Sequence, residues 1–409
     1  MSGRHPRVTG VGLVSSVGVG TESFAAAVRG GLTGVGEVRD PEYPTYRAPL
    51  PALAFDDVVQ RYPDVAIATR AAEVCARSGP PVRAGVLAAL EAWRDAGFAN
   101  DDHPGRIALV VAGNNLTADA VHRAEGQFAQ REQYVSPRLA LSLMDSHLLS
   151  VISEVLAITG PGIQVGAASA SGNAALICGC RFLATGEADA CVVVGSVGRS
   201  APIESRALAN AGALSWHSMS VPLSVDRAGF IPGEAAAAVV VERDPPPERR
   251  ESRVYGVVRG WAERLHASAG PEPRADVEAE VMRQAIAAAG ITPDRVAYVN
   301  AHASGSVVGD AAELAALDQV FARVADPPWI NATKSMVGHT LSAAGLVECV
   351  ATLIQLELGR LHPTVGLVTP ISSTMRHPRI GTLLAADAVA LSNSYGFGGF
   401  NTSIVIGRQ

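Results

Sequence analysis

Charged residues are scarce in this sequence, and so are aromatic ones. Of the 409 residues, 18% are charged and 5% are aromatic, whereas 48% are hydrophobic, so most of the chain can be buried. A nucleic-acid partner is not expected, because it would need a basic patch and the formal net charge is -6. No run of about 18 apolar residues occurs and the N-terminus lacks an apolar signal core, so no membrane span is expected.

Cysteine is also rare, and its spacing excludes several kinds of site. The five cysteines are Cys75, Cys178, Cys180, Cys191 and Cys349. An odd number without disulfide-like spacing is typical of a reducing compartment, so we expect a cytoplasmic protein. Cys178 and Cys180 are two residues apart, so on a helix their thiols diverge, and no matching histidine or cysteine ligands accompany them. We therefore expect no metal site.

Apolar runs of strand length alternate with helical patterns along most of the chain. Strands are predicted over residues 8–14, 106–111, 163–166, 188–196 and 235–242. Helices are predicted over residues 82–96, 145–159 and 172–186. This alternation indicates the α/β class, with a mostly parallel sheet covered by helices on both faces.

A weak internal repeat is what a duplicated βαβ-type unit would leave in the sequence, although apolar strands look alike. Residues 106–113 (RIALVVAG) resemble residues 295–302 (RVAYVNAH), and a strand-loop-helix unit follows each of them. The charged, proline-rich segment 243–251 is the best candidate for the connection. We therefore predict an N-terminal half over 1–243 and a C-terminal half over 252–409. The alternative for this segment is a solvated hairpin without meaning for the domain organisation.

Four short motifs carry the residues that can do chemistry. They are VGAASASGN at 165–173, NAH at 300–302, KSMVGH at 334–339 and NSYGFGG at 393–399. Ser169 lies between a predicted strand and a predicted helix, where free backbone N–H groups and the helix dipole stabilise negative charge. This environment suits a thiolate, whereas a serine hydroxyl gains less and needs an adjacent general base to attack a thioester. Taken alone, the Ser169 segment is more typical of a small-residue helix start with serine as a cap than of a catalytic site.

Together these motifs resemble those of the β-ketoacyl synthases, which belong to the thiolase superfamily. The resemblance implies a thiolase-like fold, in which two similar βαβ-type halves form a layered α-β-α-β-α sandwich. It also implies a homodimer and an acyl carrier protein as partner. No cofactor is implied beyond the phosphopantetheine arm of the carrier.

The resemblance assigns a role to each motif. In the family, the position of Ser169 holds a nucleophilic cysteine, and the positions of His302 and His339 hold catalytic histidines. The backbone N–H groups of Ser169 and Phe397 would form the oxyanion hole. Three residues would support the site: Lys334, Glu348 and Asn393. Lys334 could form its charge network with Glu348 or with Glu313.

The serine at position 169 changes the expected reaction. In the family, the two histidines help to expel CO2 from a malonyl thioester and stabilise the enolate, whereas the thiol carries the acyl group for condensation. A chain that keeps the histidines and lacks the thiol is expected to decarboxylate malonyl-acyl carrier protein to acetyl-acyl carrier protein without condensation. The ASASG context also resembles the decarboxylating ketosynthase homologues of polyketide β-branching cassettes.

Two alternatives remain open at this stage. Ser169 could act as a true nucleophile with a histidine as its base, which would make the chain an acyltransferase or a condensing ketosynthase. The chain could also be a non-catalytic partner subunit like the chain-length factors. Those typically lose the histidine motifs, so the presence of both His302 and His339 favours an enzyme.

Overall fold

The computed structural model describes residues 5–98, 105–243 and 253–408. The strands are β1 (Arg7–Ser15), β2 (Gly18–Val19), β3 (Gly36–Glu37), β4 (Tyr46–Arg47), β5 (Ile107–Ala112), β6 (Gly162–Val165), β7 (Ala190–Val197), β8 (Ala235–Glu242), β9 (Gly256–Leu265), β10 (Val296–Asn300), β11 (Trp329–Asn331), β12 (Val389–Gly396) and β13 (Phe400–Gly407). The helices are α1 (Thr21–Gly30), α2 (Phe55–Gln60), α3 (Val65–Cys75), α4 (Pro80–Asp95), α5 (Ala118–Arg131), α6 (Leu139–Ser142), α7 (His147–Leu156), α8 (Ser171–Thr185), α9 (Pro202–Asn210), α10 (Ala275–Ala288), α11 (Val307–Phe321), α12 (Lys334–Val337) and α13 (Ala344–Leu358).

The strand order shows that the same arrangement occurs twice. Five strands run β6-β5-β7-β8-β1 in one half and five run β11-β10-β12-β13-β9 in the other. A short antiparallel pairing of β1 with β9, at Arg7 with Val257 and Val8 with Gly256, joins them edge to edge. β5 and β10 hold equivalent positions, so the repeat between residues 106–113 and 295–302 marks matching strands of the two halves.

The prediction of a mostly parallel sheet is wrong, because the sheet is mixed. β5 is parallel to β6 and β7, and β10 is parallel to β11 and β12. In contrast, β8 pairs antiparallel with β7 and β1, and β13 pairs antiparallel with β12 and β9. Central strands of both kinds, such as β5 and β8, are buried on both faces, so their apolar runs look alike and do not reveal strand direction.

The helices form layers around the two halves of the sheet, which confirms the thiolase-like α/β fold. α4 packs on β1, β7 and β8, whereas α10 packs on β9 and β13. α8 and α13 lie in the middle, where α8 contacts β5 and β7 and α13 contacts β12 and β8. Their crossing is so close that a Cβ atom on Gly172 would lie 2.2 Å from the backbone nitrogen of Leu346. Only glycine permits this contact.

The central helix α13 is unusually apolar. The segment Leu341–Leu358 has the length and composition of a membrane span, with a mean hydropathy of 1.5, but 83% of it is buried inside the molecule. This burial is what the core helix of a layered fold requires. The predicted boundary between residues 243 and 252 falls at residues outside the described ranges and stays a prediction.

Candidate active site

Ser169 lies in a tight turn between β6 and α8. Ala168 precedes it in the left-handed region, with φ of 48°, a conformation that costs a non-glycine residue about 1–3 kcal/mol. The Ser171 hydroxyl holds the turn, because it donates to the Ala168 carbonyl (2.6 Å) and accepts from the Ala167 N–H (2.7 Å). From β12, the Ser394 hydroxyl donates to the Ser169 carbonyl at 3.0 Å. The strained turn is therefore fixed by both halves of the molecule.

His339 lies next to Ser169, although the two are 170 residues apart in sequence. Its Nε2 is 3.3 Å from the Ser169 Oγ, and its Nδ1 accepts a hydrogen bond from the Leu341 N–H at 3.0 Å. Burial, with the nearby Lys334 charge, holds the pKa of His339 well below its usual value. A neutral imidazole with an occupied Nδ1 lone pair carries its proton on Nε2. His339 thus presents an N–H donor toward Ser169.

His302 lines the same cavity as His339. It follows β10, and its ring lies edge-on to the His339 ring with centroids 5.6 Å apart. The Lys334 ammonium, which can only donate, lies 3.4 Å from the His302 Nδ1 and also contacts the His302 carbonyl. Burial, then the charges of Lys334 and His339, holds the pKa of His302 well below its usual value. Both histidines are therefore neutral Nε2–H donors.

Lys334 pairs with Glu348, which decides between the two partners considered from the sequence. Both side chains are 2% exposed and are in direct contact. Burial raises the pKa of Glu348 to about 7, although the Lys334 charge opposes this shift. Lys334 is also the only lysine in the chain. The pair fixes the ammonium that holds the His302 ring.

Glu313 on α11 has a different role, which the sequence did not reveal. Its carboxyl accepts hydrogen bonds from the backbone N–H groups of His302 (3.0 Å) and Ala303 (2.8 Å). It also accepts from the Asn393 Nδ2 at 3.1 Å, which accounts for the position of Asn393. Burial raises the pKa of Glu313 to about 7. Its position among the apolar residues of α11, which also carries Asp310 and Asp318, was the available signal.

The turn between β12 and β13 brings Phe397 to the same place. A Cβ atom on Gly396 would lie 2.5 Å from the Ala167 carbonyl oxygen, so the strand end packs directly on the Ser169 turn. Gly398 and Gly399 follow with φ of 84° and 82°, which lets the chain reverse. Phe397 is 46% exposed and lines the cavity together with Ser169. The oxyanion-hole role of the two backbone N–H groups stays a prediction.

The predicted catalytic residues line one cavity of about 210 Å³, together with Ser304 and Ser306. Four acidic or phenolic residues that were not predicted from the sequence also line it: Glu204, Glu272, Glu278 and Tyr395. Within residues 5–98, 105–243 and 253–408, no group of three or more His, Cys, Asp or Glu residues is arranged to hold a metal ion. The five cysteines are free. The cavity can stabilise a developing oxyanion with neutral N–H donors.

Comparison with known families decides the relationship. The β-ketoacyl synthase N-terminal domain model matches residues 7–246, and the C-terminal domain model matches residues 255–368. The chain belongs to the β-ketoacyl synthase family. Among curated ketosynthase relatives, the chain is 32% identical to "Polyketide biosynthesis malonyl-ACP decarboxylase PksF" of Bacillus subtilis, over 98% of this chain and 95% of that protein. It is 27% identical to the 3-oxoacyl-(acyl-carrier-protein) synthase 2 of Vibrio cholerae, with full coverage (100%) of both chains.

Solved ketosynthase structures share the fold of this chain. The ishigamide ketosynthase/chain length factor superposes with a TM-score of 0.89 at 24% identity, and covers 100% of both chains. A type II ketosynthase in complex with its acyl-carrier protein, AntDE:AntF, superposes with a TM-score of 0.85 at 22% identity, also over 100% of both chains. The layered fold is therefore that of a ketosynthase.

Proposed function

We propose that this ketosynthase-family enzyme removes CO2 from a malonyl group on acyl carrier protein and leaves an acetyl group, without condensation. The observation that carries the proposal is the state of the two histidines. His302 and His339 are neutral, and each has its Nδ1 engaged, so both present Nε2–H donors to one cavity. Two such donors can hold the thioester oxygen as CO2 leaves and negative charge develops on that oxygen.

The same tautomers argue against Ser169 as a nucleophile. A serine attacks a thioester only when a neighbouring base takes its proton. The nearest imidazole, His339, directs a protonated nitrogen toward the Ser169 Oγ, because its other nitrogen accepts the Leu341 N–H. Ser169 can instead accept a hydrogen bond from the His339 Nε2–H and so fix the orientation of the imidazole ring. The acyltransferase or condensing alternative would need the tautomer of His339 that carries its proton on Nδ1. In that tautomer Nδ1 could no longer accept the hydrogen bond from the Leu341 N–H.

Similarity to relatives supports the biological setting that we propose. The 32% identical B. subtilis relative is named a malonyl-ACP decarboxylase of polyketide biosynthesis. We propose the same pathway class for this chain, with a supply of acetyl-carrier protein for β-branching. We further propose an acyl carrier protein partner, a cytoplasmic homodimer and no cofactor beyond the phosphopantetheine arm of the carrier.

Intact-protein mass spectrometry tests the proposal. Malonyl-loaded carrier protein is incubated with the enzyme, and the masses of both proteins are followed over time. We expect the carrier to lose the mass of CO2 and to retain acetyl, with no acyl group on Ser169. An unchanged malonyl-carrier, together with acylation of Ser169 from acyl donors, would favour the acyltransferase. Activity only in a copurifying heterodimer would favour the chain-length-factor alternative.

A further inference from the structure

Helix α10 places a buried carboxyl group at the wall of the catalytic cavity. Glu278 is 1% exposed and lines the cavity with Ser169, His302 and His339. Met282, one turn further along the same face of α10, lies 3.3 Å (Sδ) from the Asn393 Nδ2 on β12. The face of α10 that carries Glu278 is therefore directed at the catalytic residues and not at solvent.

The Glu278 carboxyl is unsatisfied at one of its two oxygens. Among the described residues, nothing hydrogen-bonds its buried Oε2, and the buried Tyr395 hydroxyl is likewise without a partner. Tyr395 lines the same cavity as Glu278, and its ring lies edge-on to the His302 ring with centroids 5.6 Å apart. Burial raises the pKa of the Tyr395 phenol well above its usual value.

This environment keeps Glu278 as a neutral acid. Burial, with added repulsion from Glu313 and Asp310, raises the pKa of its carboxyl well above the usual value. An unpaired carboxylate in such a place is costly, which favours the protonated form of the group. A protonated carboxyl in a reaction cavity is suited to general-acid catalysis.

We propose that Glu278 is the acid that protonates the enolate carbon after CO2 has left, an inference that rests on the proposed decarboxylation. The enolate CH2=C(O⁻)–S takes the carboxyl proton, so a C–H bond forms as the O–H bond breaks. The C=C electron pair makes the new C–H bond, and the oxyanion electrons restore the thioester carbonyl. The acetyl thioester and a Glu278 carboxylate remain, and water returns the proton to the carboxylate.

Other groups in the cavity are less suited to this step. Two further acids line it, but Glu204 is only partly buried and Glu272 is exposed to solvent, whereas Glu278 is fully buried. The Nε2–H groups of His302 and His339 are committed to the enolate oxygen, and Lys334 is held by Glu348. The Ser169 hydroxyl is a much weaker acid than a carboxyl group. Where the bound substrate leaves a gap, one water molecule can carry the proton from Glu278.

The configuration of the methyl group formed in the reaction tests the proposal. Malonyl-carrier that is stereospecifically deuterated at C2 is decarboxylated in tritiated water, and the acetyl product is examined by chiral-methyl analysis. An acid fixed on one side of the enolate delivers its proton to one face. The methyl group of the wild-type product is therefore expected to have a single configuration. Glu278→Gln is expected to give racemic product and to form acetyl about 10²-fold more slowly. Glu280→Gln, on the exposed face of the same helix, should match the wild type.

Glu278→Met provides a second variant, because it removes an unpaired buried polar group and keeps the volume, so it is expected to fold. It should behave like Glu278→Gln, whereas Glu278→Asp should retain one configuration. Racemic product from the wild type, or an unchanged single configuration from the glutamine or methionine variant, would overturn the inference. Failure of the wild type to release CO2 would instead overturn the proposed function itself.

Discussion

Removal of the Ser169 hydroxyl separates the proposed decarboxylase from any enzyme that acts through an acyl-serine. In Ser169→Ala, both histidine donors remain in place, and only the contact between the serine Oγ and the His339 Nε2 is lost. Such a neutral hydrogen bond contributes about 0.5–1.5 kcal/mol. If all of it were lost in the transition state, the rate would fall by about tenfold. We therefore expect Ser169→Ala to retain a measurable share of CO2 release.

Removal of a histidine donor is expected to have a much larger effect. His339→Ala takes away one of two preorganised donors from the oxyanion, and loss of such a donor costs about 10²–10³ in kcat. His302→Ala should be similar, because its Nε2–H is equivalent. The exposed His217 offers a control, since His217→Ala should leave the rate unchanged. The rate of Ser169→Ala should thus exceed that of either cavity variant by about tenfold or more.

The assay follows the mass of malonyl-loaded carrier protein over time with each purified variant. Circular dichroism of each variant confirms that the fold is kept. A loss of CO2 release in Ser169→Ala as complete as in His339→Ala would refute the reasoning, because it would mean that the hydroxyl carries the reaction. Acetyl found on the carrier in Ser169→Ala excludes an obligatory acyl-serine.

Three further substitutions have defined outcomes. Ser169→Cys is expected to become acylated by acyl-carrier donors, detected as an added mass, because a helix N-terminus lowers the pKa of a thiol; an unmodified cysteine would contradict this. Lys334→Met leaves the Glu348 carboxyl buried without its cation and should lower the free energy of unfolding by about 3–5 kcal/mol, measured by urea denaturation; full stability would contradict it. Burial raises the pKa of Glu313 to about 7, so the folded state binds its proton more tightly than the unfolded state, and stability should fall as pH rises from about 4.5 to 7. Glu313→Gln should weaken that slope in melts across this range, and an identical slope would contradict the assignment.

Much of the architecture was accessible from local patterns. The strand predicted over residues 235–242 matches β8 at both ends, because Ala and Val run without interruption between polar turns. The repeat between residues 106–113 and 295–302 correctly identified β5 and β10 as equivalent strands of the two halves. Ser169 and His339 could be assigned to one site only through the resemblance to a family, since nothing in their spacing reports a contact across 170 residues.

Strand direction and the buried acids were not accessible in this way. A strand that is buried on both faces looks the same whether its neighbour is parallel or antiparallel, so the mixed sheet was not predicted. Glu278 and Glu313 each lie in a helix that otherwise reads as an ordinary packed element. Whether such an acid faces solvent or a cavity depends on how α10 and α11 are rotated against β12, and tertiary packing alone fixes this rotation.

The repeated architecture also assigns Ser169 and His339 to corresponding places. Ser169 follows β6 and precedes α8, whereas His339 follows β11 and shortly precedes α13, a helix of equal length (15 residues). The positive ends of both helix dipoles therefore converge on one point. Because the two residues belong to separate copies of the same unit, evolution can alter the chemistry of one copy and leave the other intact. Under the proposed function, the copy that carries Ser169 would have lost the acyl-accepting role, whereas the copy that carries His339 would keep its part in decarboxylation on the same scaffold.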